Sequence, residues 1–184
     1  GEPLGLIGLT SIQREINSVD KPVSVGIHVP SVAVAGLQSG LDYGEFFRDV
    51  EACGFDAIWV EDRIFHPNPL ADSLLLLSWA AAHTRRLLLG TAVLVLNLRF
   101  APIVARQIST LNHLSGGRLV LGVSLGGRSE EYEGLGVPMH QRVAVFRENM
   151  TVLRELLAGT PVEHAGEFFQ LHEVTVRPAA PVPI

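Results

Sequence analysis

Cysteine is almost missing from this chain. The single Cys53 excludes an internal disulfide and any multi-cysteine zinc site. It falls on the apolar face of a predicted helix just before Gly54, where a buried structural thiol is the expected reading. Surplus positive charge is missing too: 14 Lys and Arg against 19 Asp and Glu leave a net charge of -5 and no basic surface for nucleic acid. No apolar run is long enough to span a bilayer. The amino end lacks both a basic region and an initiator methionine, so it reads as a processed end rather than a signal peptide. The histidines show no metal-ligand spacing, and no metal site is expected. No internal repeat is detectable. The default setting is the reduced cytoplasm.

The remaining composition, 47% hydrophobic and 18% charged over 184 residues, is that of an ordinary globular chain able to bury one core. Its organising stretch is LNHLSGGRLVLGVSLGGRSEEYEGLG, residues 111–136. A helix ends at Ser115-Gly116-Gly117, a short apolar run follows over 119–123, and Gly126-Gly127 turns the chain into an acidic helix start. Short Leu- and Val-rich runs bounded by glycine suit buried parallel strands. In α/β folds the carboxyl edge of such strands is where ligands bind.

The same βα rhythm runs through the chain. Residues 1–22 read as a leader and residues 23–184 as the folded unit. A strand over 23–29 stops at Pro30, and Asp42 is the N-cap of a helix over 43–53. Strand two covers 55–60 and ends in Glu61-Asp62-Arg63. A helix over 70–83 is apolar on most faces, which predicts burial on two sides and a subunit interface. Strand three covers 87–96, and Pro102 opens a helix over 103–114. After strand four comes a long helix over 139–158, then a small hairpin turned at Ala165-Gly166. Four βα units in succession imply a parallel sheet with right-handed crossovers. Polar residues gather after the strands: His28, then Glu61, Asp62, Arg63 and His66, then Asn97 and Arg99, then Ser124 and Arg128. Arg118 and Arg142 read as structural cations pairing with carboxylates such as Glu148.

Three motifs in order, LLLGTAVL (87–94), LSGGRLVLGV (114–123) and EYEGLGVP (131–138), together with Arg142, resemble the bacterial luciferase-like monooxygenase superfamily. The likeness covers about residues 23 to 184. It implies a TIM-type barrel, FMN or a deazaflavin coenzyme (F420 type) as cofactor, and oxidoreductase or monooxygenase activity on a small-molecule substrate. It implies further that a non-prolyl cis peptide, Ala92–Val93, forms a bulge against the cofactor ring beside Thr91. Ser124, Leu125 and Gly126 match the segment along the ribityl chain and ring. Asp62 matches a ring-contacting position in deazaflavin members, where the next residue is often His; here it is Arg63. The phosphate-binding Arg of luciferase is replaced by Leu125.

Read from the residues alone, the 122–127 turn suits a ring contact, a phosphate cradle or a plain structural turn, with Glu130, Glu131 and Glu133 opposing phosphate. Asp62 and His66 form either an acid–base set or a solvated strand end. Four βα units are half a barrel, with two unpaired edges that invite association. A dimer is expected, through the 70–83 helix or the strand edges. The alternative function is a non-catalytic oligomeric half-barrel serving assembly or flavin binding.

Overall fold

A computed structural model describes residues 24–31 and 42–184; the leader expected over 1–22 lies outside them. Four strands form one parallel sheet in sequence order: β1 (Gly26–His28), β2 (Ala57–Val60), β3 (Leu88–Val95) and β4 (Leu119–Ser124). Between them run α1 (Tyr43–Ala52), α2 (Ser73–His83) and α3 (Ala101–Ser115). After β4 come a short α4 (Ser129–Gly134), a long α5 (Arg142–Leu157) and an antiparallel hairpin of β5 (Val162–Ala165) and β6 (Gln170–Val174). The expected units are all present, with boundaries shifted by one to three residues. Among the described residues, no helix is long and apolar enough to cross a membrane.

Local chemistry sets these boundaries. Asp42 caps α1 by accepting the Glu45 N–H at 3.0 Å. Asp72, rather than Leu70, starts α2: its carboxylate takes the N–H groups of Leu74 and Leu75, both at 3.0 Å. Gly116, at φ 72°, ends α3 in the left-handed conformation.

Parallel register aligns Ile27 with Ile58, Ile58 with Leu89, and Leu89 with Leu119. Side chains alternate along each strand, so this row faces the helices and buries against Phe47, Leu77, Ile108 and Leu153. Each such side chain contributes about 1.5–3 kcal/mol on burial. The other, concave face carries Gly26, Trp59, Gly90 and Ala92.

Within a single chain α2 is buried on one of its two apolar sides, the other being the side expected to meet a second subunit. Leu74, Leu76, Leu77, Ala80 and Ala81 are buried, but Leu75 is 73% exposed and Trp79 52%. One face meets the core; the other is uncovered among the described residues, alongside Leu114 of α3 at 67% exposure.

The cations do not pair as expected. Among the described residues, Arg118 forms no ion pair with a carboxylate. Its guanidinium donates to the carbonyls of Ser115 (2.6 Å), Leu87 (2.8 Å), Thr84 (3.1 Å) and Ala81 (3.2 Å), and to Thr84 Oγ1 (2.9 Å). Burial pushes its pKa below the ordinary value. Glu148 instead accepts the backbone N–H groups of Glu167, Phe168 and Phe169 at 2.7–3.0 Å and so holds the hairpin tip. Glu51 does the same for the turn before β3, accepting from Arg85, Arg86 and Leu87. The sequence shows the sign of a charge but not the backbone groups that will meet it.

Burial opposes the charge on both glutamates, but the amide donors outweigh it, and each pKa lies below the usual carboxylate value. A depressed folded pKa gives stability that is present above the unfolded value, about 4.3, and lost as pH falls through the folded value. Amides 85–87 and 167–169 should therefore exchange faster below about pH 4.3. Glu51→Gln and Glu148→Gln should each remove that pH dependence at their own turn. Exchange that stays flat from neutral pH into acid in the parent would contradict the assignment.

Candidate functional site at the carboxyl edge of the sheet

Within β3, just past its last pairing with β2 at Thr91, the Ala92–Val93 peptide is cis. The β3–β4 register slips between Thr91 and Leu94. Ala92 is exposed and Val93 is 41% exposed, so the bulge stands clear of the core. Thr91 is buried and turns into the seam, its Oγ1 donating to the Gly122 carbonyl at 2.8 Å. Gly122 is tightly enclosed: a Cβ there would lie 2.5 Å from the Thr91 carbonyl oxygen and 3.0 Å from Val93 Cγ1. The bulge and β4 thus meet backbone to backbone.

The turn after β4 continues this surface. Ser124, Leu125 and Gly126 are half-buried. Gly126 has φ 75°, and a Cβ on it would lie 2.7 Å from Val95 Cγ1, so the turn requires glycine. Tyr132, fully buried on α4, donates its hydroxyl to the Leu125 carbonyl. Asn97 Nδ2 donates both to the Tyr132 hydroxyl (3.0 Å) and to the Arg142 carbonyl (2.7 Å). One small network therefore fixes the turn against the end of β3 and the start of α5.

Asp62 lies beneath the bulge, 5% exposed. Its Oδ1 accepts from Ser73 Oγ (3.0 Å) and Arg99 Nη2 (2.6 Å), and its Oδ2 from the Val95 N–H (3.0 Å) and Arg99 Nε (3.3 Å). Arg99 also reaches Asp72 at 3.2 Å. Burial works against the Arg99 charge, but the hydrogen bond and attraction to Asp62, then Asp72, more than offset it and raise its pKa. His66 is not brought to Asp62. Its Nδ1 lies 2.9 Å from the Asn68 carbonyl oxygen and 3.1 Å from the Asn68 nitrogen, within its own loop. Glu61 accepts from Ser31 Oγ at 3.0 Å, and His28 is exposed at the end of β1.

The acidic helix start resolves into separate tasks. Glu131 is buried and accepts the N–H groups of Ile64 (3.2 Å) and Phe65 (3.3 Å), with Arg63 Nε at 3.8 Å. It ties the loop after β2 to the loop after β4. Glu130 faces outward and pairs with Arg128 at 3.6 Å. No cationic side chain lies in the Ser124–Leu125–Gly126 segment itself. Its lining of backbone and small side chains fits a flat ring approaching closely better than a phosphate.

Sequence reasoning did not single out Trp59, Tyr132 or the Asp62–Arg99 pair. Asp62 and Arg99 each carried a signal, as polar residues just past strand ends, but nothing in the sequence paired them.

Residues 25–184 match the family model described as luciferase-like monooxygenase. Over 150 residues the chain is 36% identical to the F420-dependent glucose-6-phosphate dehydrogenase of Kineococcus radiotolerans, covering 76% of this chain and 44% of that protein. It is 29% identical over 163 residues to the 4-hydroxyprotoasukamycin monooxygenase of Streptomyces nodosus subsp. asukaensis, covering 84% and 43%. In three dimensions it is similar to the monooxygenase RslO1 from Streptomyces bottropensis, with a TM-score of 0.77 and 27% identity over 88% of this chain and 52% of that one. The chain spans about half the length of the relatives it matches.

Proposed function

The chain belongs to the luciferase-like monooxygenase family, and from that premise we propose that it supplies the ring-holding half of a flavin- or deazaflavin-dependent oxidoreductase acting on a small-molecule substrate. The observation that carries this reading is the exposed Ala92–Val93 bulge at the β3–β4 register slip, set against Gly122 and continued by Ser124, Leu125 and Gly126. FMN or an F420-type deazaflavin, when bound, would supply the redox chemistry. Ala92 and Val93 would hold the ring from one side, and Ser124, Leu125 and Gly126 would hold its edge and ribityl chain. Thr91 locks the bulge to β4 from behind. Asp62, with both oxygens engaged, holds Val95 and Arg99 in place as a positioning residue. His66 is then the side chain on the loop after β2 left to exchange a proton with the substrate, its Nδ1 being engaged by the Asn68 backbone. A dimer forms through the bare face of α2 and α3, where Leu75, Trp79 and Leu114 would otherwise remain in water.

Titration of the chain with FMN and with an F420-type deazaflavin should quench the fluorescence of at least one of them in the micromolar range. Binding of neither would overturn the cofactor reading for this chain. Sedimentation run alongside should give a dimer; a monomer at every concentration would overturn the interface. A dimer with no affinity for either ring would favour the non-catalytic assembly instead.

A further inference from the structure

We infer that Trp59 is the floor of the ring site: its indole is the flat surface on which the inner edge of the tricyclic ring rests. This deepens the proposed function and depends on it. The indole lies across the concave face of the sheet on two glycines from the flanking strands. A Cβ on Gly26 of β1 would sit 2.3 Å from its Nε1, and a Cβ on Gly90 of β3 would sit 2.2 Å from Cε3 and Cζ3. Any side chain at either position would have to displace the indole. Parallel pairing brings the contacts about: Gly26 aligns with Ala57, two residues before Trp59, and Trp59 aligns with Gly90. Only one face of the indole is used in this way, and the residue stays half-buried. Its N–H has no hydrogen-bond partner among the described residues.

The floor meets the shelf through β3. Ala92 is the next residue above Gly90 on the concave face, about 7 Å further along the strand, and it belongs to the cis bond. Indole, Ala92 and Val93 therefore form one continuous apolar step. A planar heteroaromatic ring lying on the bulge would meet the benzo end of the indole, the end that lies over Gly90 of β3, where an aromatic contact is on offer. The ligand class is a flat heteroaromatic ring, which flavins and deazaflavins both are. A merely space-filling tryptophan would leave ring affinity unchanged when replaced by another large apolar residue.

The test uses lumiflavin, the ring without ribityl chain or phosphate, titrated by its fluorescence against the full chain. Trp59→Leu should weaken binding about tenfold, equivalent to about 1.4 kcal/mol, while Trp59→Phe stays within about threefold because it keeps an aromatic face. Gly90→Ala, which pushes the indole off its seat, should weaken binding in the same direction. The double variant should lose little beyond either single one, since both act on one group. Lumiflavin affinity within about twofold of the parent in Trp59→Leu, with an unchanged melting curve, would overturn the inference and leave the proposed function standing. Absence of ring binding in the parent itself would overturn both. Should Trp59→Leu fail to fold, Trp59→Phe and Gly90→Ala decide: unchanged affinity in Gly90→Ala overturns the inference.

Discussion

Replacing Asp62 with asparagine should lower the free energy of unfolding by about 3–5 kcal/mol, the range for breaking a buried ion pair from one side. The carboxylate accepts four hydrogen bonds, two of them from Arg99, whose own side chain is only 14% exposed. Asparagine keeps one acceptor oxygen and puts an amide NH2 where the other stood, so at least one donor ends facing a donor. Arg99 would keep Asp72, but that carboxylate is 37% exposed and less able to compensate. The damage should also reach the proposed ring site, because the Val95 N–H that Asp62 holds lies just past the register slip. Urea unfolding measures the first effect, and lumiflavin affinity under conditions where the variant is folded measures the second. A loss under about 1 kcal/mol would mean that solvent screens the pair as it does at a surface. Full stability loss with unchanged ring affinity would confine Asp62 to the fold.

Arg118 should rival it at the opposite edge of the sheet. Arg118→Met keeps an apolar stem but removes every donor, leaving the carbonyls of Ala81, Thr84, Leu87 and Ser115 without this partner. An acceptor stripped of its donor costs about 1–3 kcal/mol when fully buried. With partial access to water and incomplete additivity, a total of about 3 kcal/mol is expected. Arg118→Lys should recover only part of this, because one ammonium cannot span acceptors spread over α2, the following turn and α3. A lysine variant as stable as the parent would show that charge, not the planar fork, matters there. Neither Arg118 variant should change lumiflavin affinity, since the residue sits at the amino edge of β4, away from the bulge.

These two residues also mark the limits of sequence reading. The parallel sheet and its alternating helices were legible, because buried strands write themselves as short apolar runs and glycine stops them. The cis bond at Ala92–Val93 was legible only through family resemblance, since nothing in the local residue types demands it. Arg118 was read as an ion-pair partner because its charge is visible and the four carbonyls it meets are not. The outward face of α2 was hidden for a different reason. Its leucines and alanines are spread evenly around the helix, so no periodic pattern marks Leu75 and Trp79 as the pair left outside. Trp59 reads as an ordinary strand aromatic until register places Gly26 and Gly90 beneath it. Pairwise facts of that kind belong to the folded sheet, not to any local stretch.

The way Glu148 holds the tip of the β5–β6 hairpin has a practical side. That loop is shaped by a carboxylate on α5 gripping three consecutive main-chain amides, at Glu167, Phe168 and Phe169, with Gly166 leaving it room: a Cβ there would lie 2.0 Å from Glu148 Oε1. Main-chain N–H groups are common to every amino acid except proline. Positions 167 and 168 are therefore a natural place to substitute a residue that carries a label, provided Gly166 and the buried Phe169 are kept and no proline falls among the three.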